Sequence, residues 1–91
     1  MAGILDEIFH ARTNGNGYVE QEWNHTLLKR EIAWLLAEAR IQEVPSPPRR
    51  GSEYPTEWET KRYLDLETGD IYEYLGPWDR GGPRFHKVVS E

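Results

Sequence analysis

Apolar residues recur along the middle of the chain at helical spacing. Leu28, Ile32, Leu35 and Ala39 fall at i, i+4, i+7 and i+11, with Leu27, Trp34 and Leu36 on the flanks, which predicts an amphipathic helix from about Glu22 to Ile41. Asn24 is an N-cap candidate, and a start nearer Tyr18 would prolong the same pattern. Lys29, Arg30, Glu31 and Arg40 lie off the stripe and are expected in solvent. The first apolar group, Ile4, Leu5, Ile8 and Phe9, also has helical spacing but is short. A strand is the alternative there, because Asn14-Gly15-Asn16-Gly17 offers two turn dipeptides that could close a hairpin onto Tyr18 and Val19.

Prolines 45, 47 and 48 block both helix and central strand, so residues 44–53 read as a stiff extended linker. Beyond it the pattern changes to short β-rich runs. Residues 61–66 and 71–75 flank a turn containing Gly69, and residues 84–89 follow a Gly- and Pro-rich loop as a third strand. A two-residue Thr-Gly loop would pair Leu66 with Ile71 and scatter the tyrosines. A three-residue loop with a bulge at Gly69 would place Leu64, Leu66, Tyr72 and Tyr74 on one face, and this register is the one expected. The opposite face would then carry Lys61, Tyr63, Asp65, Ile71, Glu73 and Leu75. The resulting fold class is α+β: a single domain over residues 1–91, in which one long helix packs on an antiparallel sheet of about three strands.

Composition alters this picture in two respects. Leu, Ile, Val and Phe together make up only 19 of the 91 residues, a sparse aliphatic supply, so the four Trp and five Tyr must furnish much of the core. Trp34, Tyr72 and Tyr74 are expected inside, with some of Trp58, Tyr63 and Trp78 near the surface. The net charge is −5, and residues 53–73, with seven acids against two bases, carry an excess equal to all of it. Such a field disfavours nucleic acid and favours a basic protein surface, although the same acids could form a solvated face alone.

The chain has no cysteine, which excludes disulfide scaffolds and thiol chemistry. Its longest apolar run, residues 33–37, is far short of a membrane span, and the acidic start does not read as a secretory signal; a soluble, cytoplasmic protein is expected. Serines stand at positions 46, 52 and 90, where none could be held beside a base. His10, His25 and His86 lack any metal-ligand spacing, and no cofactor or metal is expected. Glu59 and Glu73 could be paired across the sheet in the manner of a glycosidase, but nearly every acidic chain permits such a pairing. Binding rather than catalysis is therefore expected, through rings and acids interleaved in the C-terminal third: Glu57, Trp58, Glu59, Tyr63, Asp65, Glu67, Asp70, Glu73, Trp78 and Asp79.

The order of several motifs adds to this reading. Trp58 precedes Tyr63-x-Asp65, then a turn closed by Gly69, the pair Tyr72-Glu73, Pro77, and Gly81-Gly82-Pro83-Arg84 before a final strand. Upstream, Arg30-Glu31-Ile32-Ala33-Trp34-Leu35 is similar to an Arg-Ile-x-Trp-Leu helix. Together these resemble the immunity protein 27 family of bacterial polymorphic-toxin systems over residues 30–42 and 58–89. The resemblance implies a cytoplasmic protein without activity of its own that binds the toxin domain of a neighbouring effector. The leading expectation is accordingly an immunity protein, monomer or homodimer, whose acidic sheet segment occludes a basic toxin domain such as a nuclease. A small assembly protein working through self-association is the rival expectation.

Overall fold

The computed structural model describes residues 3–45, 60–76 and 83–88. It has two helices, α1 (Ile4–Thr13) and α2 (Glu22–Ala37), and four strands, β1 (Ile41–Val44), β2 (Thr60–Asp65), β3 (Ile71–Leu75) and β4 (Arg84–Val88). The α+β class is as expected; of the two alternatives for the N-terminal element the helix is found, and β1 makes a fourth strand. The strands form one antiparallel sheet in the order β1-β2-β3-β4.

The N-terminal element is a helix. Asp6 and Glu7 in its first turn and His10 and Arg12 in its last complement the helix dipole. Asn14 ends it in the left-handed conformation, φ 55°, and Gly15 and Gly17 continue the turn at positive φ. The Asn-Gly repeat therefore terminates a helix rather than closing a hairpin. The chain then runs along the outer edge of β4, where Val19 N–H donates to Pro83 O at 2.9 Å and Phe85 N–H to Gly17 O at 2.9 Å.

α2 begins after Gln21, so Asn24 is not its cap. Asn24 instead joins the two helices: its amide donates to Arg12 O at 2.9 Å and its Oδ1 accepts from Arg12 Nη1 at 2.7 Å. Arg12 also grips both carboxylate oxygens of Glu31, at 2.8 and 3.1 Å, which removes Glu31 from the expected solvated set. The helix stops at Ala37, four residues before Ile41. Arg40 N–H reaches Leu35 O and Ala39 N–H reaches Leu36 O, a Schellman closure with Ala39 at φ 57° where glycine is usual. Pairing with β2 then draws Ile41 into the sheet, opposite Asp65.

The expected registers of the β2–β3 hairpin are both replaced. Tyr63 lies opposite Tyr72 and Leu64 opposite Ile71, so four residues, 66–69, form the connection. Tyr63 and Asp65, not Leu64 and Leu66, share the inner face with Tyr72 and Tyr74, and Leu66 is 50% exposed. The cause is the Asp65 carboxylate. Oδ1 accepts the N–H groups of Glu67 (2.9 Å) and Thr68 (3.3 Å), shaping the turn, while Oδ2 accepts Leu5 N–H (3.3 Å) at the start of α1. Gly69, at φ 82°, completes the turn and donates to Asp65 O.

The core joins Leu5 and Ile8 of α1, Leu28, Ile32 and Leu35 of α2, Val19, and Ile41, Tyr63, Tyr72, Tyr74 and Phe85 of the sheet. The helical stripe is thus buried as expected up to Leu35, whereas Trp34 is 55% exposed and not part of the interior. Tyr72 stacks on Phe85 with ring centroids 5.5 Å apart, and its hydroxyl donates to Asp6 Oδ1 at 2.9 Å. The expected linker beyond Pro45 and the loop at 77–82 lie outside the described residues; Val44 belongs to β1.

Three outcomes follow from these contacts. Asp65→Ala leaves three N–H groups without their acceptor and is expected to cost about 3 kcal/mol, read as a lower denaturant midpoint. Ala39→Gly relieves a left-handed alanine and should raise stability by about 1 kcal/mol in the same assay. The Tyr72 hydroxyl is held above its ordinary range, first by burial, then by its bond to Asp6 and by the negative charges of Asp6, Asp70 and Asp65. The unfolded chain releases that proton near pH 10 or about there, whereas the folded chain keeps it. The stabilisation is therefore complete below that pH and declines as pH rises above it. Tyr72→Phe should flatten part of this alkaline decline when unfolding is followed between about pH 9 and pH 11.

Candidate functional site

The ten residues expected to contact a partner do not form one surface. Tyr63 is in the core, and Asp65 is 1% exposed with its carboxylate turned toward backbone N–H groups, so neither is available to a partner. This corrects their assignment, and the reason is the register that carries both to the inner face. Glu73 lies on the other face of the sheet between two bases, with Arg62 Nε at 2.8 Å and His86 Nε2 at 3.4 Å. Asp70 faces Lys87 Nζ at 3.5 Å and stays partly open to solvent. Glu67, at the tip of the β2–β3 turn, is exposed. Glu57, Trp58, Glu59, Trp78 and Asp79 lie outside the described residues.

A different feature stands out on α2. Trp23 is 61% exposed and Trp34 55%, and the offset of eleven positions from one to the other is very close to three whole helical turns, which returns both rings to the same side. Leu27, half-buried, and Arg30, exposed, lie between them on that side. The two indoles stand about 16 Å apart along the axis at ~1.5 Å per residue. Leu28, Ile32 and Leu35 occupy the opposite, buried side. The helix is therefore amphipathic toward the core and also carries a second line of apolar groups toward solvent. The sequence contains this second stripe, Trp23, Leu27 and Trp34 at i, i+4 and i+11; as flanks of the first stripe Leu27 and Trp34 conceal it, and only Trp23 sets it apart.

Such rings are strong anchors because each removes a large area from water on contact while restricting few torsions. The face has no interior polar demand to satisfy, since Arg30 can remain at its rim with its guanidinium hydrated. Acids accompany it at both ends: Glu20 and Glu22 near Trp23, and Glu38 beyond Trp34, all exposed.

Tyr74 is the polar centre beneath α2. His25 stacks on its ring at 5.7 Å and approaches its hydroxyl at 2.7 Å through Nε2, and the Lys29 ammonium stands 5.8 Å from the ring centroid. This arrangement fixes the ring's orientation and anchors α2 to β3. Among the described residues no three His, Asp or Glu side chains are grouped to hold a metal ion, and no helix is long and apolar enough to cross a membrane. Compared with family models, with curated proteins and with solved structures, the chain matches none.

Proposed function

We propose that this chain is an immunity-type protein that binds a cognate toxin domain stoichiometrically and blocks it by occlusion. The observation that carries the reading is the pair of exposed tryptophans aligned on α2, a surface with the composition of a protein-contact hot spot. The resemblance of Arg30-Glu31-Ile32-Ala33-Trp34-Leu35 to the helix of the immunity protein 27 family bears on the same element. The acidic excess of residues 53–73 adds long-range attraction toward a basic partner. Glu67 and Asp70 are the acids of that excess which the described fold leaves closest to solvent.

In this mechanism the chain performs no chemistry. Steering by the acids raises the encounter rate, the indoles bury themselves in pockets of the toxin domain, and the body of the small domain covers the toxin's working surface. The two tasks fall on different residues, so they are separable by mutation.

Co-expression and co-purification with the toxin domain encoded beside it test the reading. Rescue of growth and a complex stable through gel filtration are expected. Trp23→Ala and Trp34→Ala should each weaken binding by roughly 30-fold, corresponding to about 2 kcal/mol for a hot-spot ring. Both substitutions should leave folding stability within about 0.5 kcal/mol, because the rings are mostly in solvent. Absence of rescue, or tryptophan variants that bind like the parent protein, would overturn the proposal.

A further inference from the structure

Beside the tryptophan face, on the flank of α2 that meets the sheet, lies a groove of about 210 Å³. Ile32, Ala33 and Leu36 of α2 form one wall, and the rings of Tyr63 and Tyr74 form the other. Lys29 and Lys61 complete the lining, Lys61 standing directly opposite Tyr74 across β2 and β3. The groove is thus apolar within and cationic at its margin, on a chain whose net charge is −5. Glu43 of β1, opposite Tyr63, is the acid that the register places next to it.

Its size selects among occupants. Pockets for cofactors and metabolites begin at roughly 300 Å³ and enclose most of the ligand's surface. This groove is smaller and open, its wall residues Ala33 and Leu36 are themselves exposed, and the exposed Ala37 follows them on the helix. It suits one or two side chains of a longer segment that continues over the helix. The charge at the margin selects the sign: an ammonium offers three donors, so it can meet an incoming carboxylate as well as a partner within its own chain.

We infer that this groove seats an apolar side chain from an acidic segment of a protein partner, with flanking carboxylates meeting Lys29 and Lys61. The site is separate from the acidic β2–β3 turn, which lies at the other end of the same two strands, and the inference stands independently of any toxin. The sign of its preferred partner is opposite to that of the turn. A partner that engaged both would be held in one orientation only, since reversal would set like charges against each other.

Two acetylated, amidated hexapeptides test this on the full-length chain: one of alternating leucine and glutamate, the other of alternating leucine and lysine. In amide NMR titrations the acidic peptide should shift the resonances of Lys29, Ala33, Leu36 and Lys61 along a single binding curve, and the basic peptide should not. The double variant Lys29→Glu, Lys61→Glu should weaken the acidic peptide by about tenfold or more. Lys29→Ala alone should weaken it to a smaller degree, in a protein whose amide spectrum away from the groove stays that of the parent. Equal response to both peptides, shifts centred elsewhere, or no shift at millimolar peptide overturns the inference. So does octanoate binding the groove as tightly as the acidic peptide, which would make it a small-amphiphile site. Concentration-dependent shifts of the same residues without peptide, with dimers seen in sedimentation, would also overturn it by making a second copy the occupant.

Discussion

The Asp65 carboxylate is the interaction on which the rest of this fold depends. It sits at the end of β2 with almost no exposure and accepts N–H groups from both sides: Glu67 and Thr68 in the turn that follows, and Leu5 at the start of the first helix. Burying a carboxylate is costly unless its oxygens are satisfied, and here oriented backbone donors and the positive end of a helix offset that cost. One side chain therefore holds together segments sixty residues apart. Gly3 leaves the room this requires, since a Cβ there would fall on the Asp65 carboxylate and within 2.7 Å of Thr68 Cγ2.

Once Asp65 faces inward, the alternation of β2 obliges Tyr63 to do the same, and the cross-strand register brings in Tyr72 and Tyr74. A core built from tyrosines carries hydroxyls that need partners. Tyr72 finds Asp6 of α1 and Tyr74 finds His25 of α2, so each helix is tied to the sheet by a directional bond as well as by packing. The ring stack of Tyr72 on Phe85 extends the same core to β4. The aromatic supply that compensates for few aliphatic residues is thus also the source of orientation.

The same inward use of polar groups reshapes the outer surface. Of the four acids in the described part of the hairpin, Asp65 is internal, Glu73 is held between Arg62 and His86, Asp70 faces Lys87, and Glu67 alone is exposed. What α2 presents instead is a pair of indoles on one side and a cation-rimmed apolar groove on the next. Among the described residues the exposed tryptophans thus lie on the helix, the element whose inner stripe is complete without them.

Local pattern alone was sufficient for several features. The period of Leu28, Ile32 and Leu35 identified α2 and its buried side, Gly69 marked the turn, the β-rich runs marked three strands, and the composition required an aromatic core. These are properties of neighbouring residues, and short-range sterics and amphipathicity express them directly. Hairpin register, the end of α2 and the location of Trp34 were decided only in three dimensions. The first two depend on partners distant in sequence, Leu5 for Asp65 and Asp65 in turn for Ile41, and Trp34 stays outside because Leu28, Ile32 and Leu35 fill the side of α2 that meets the core. A one-residue change in loop length reverses which side chains face the core, and nothing within residues 60–75 records that an N–H from α1 waits for the carboxylate.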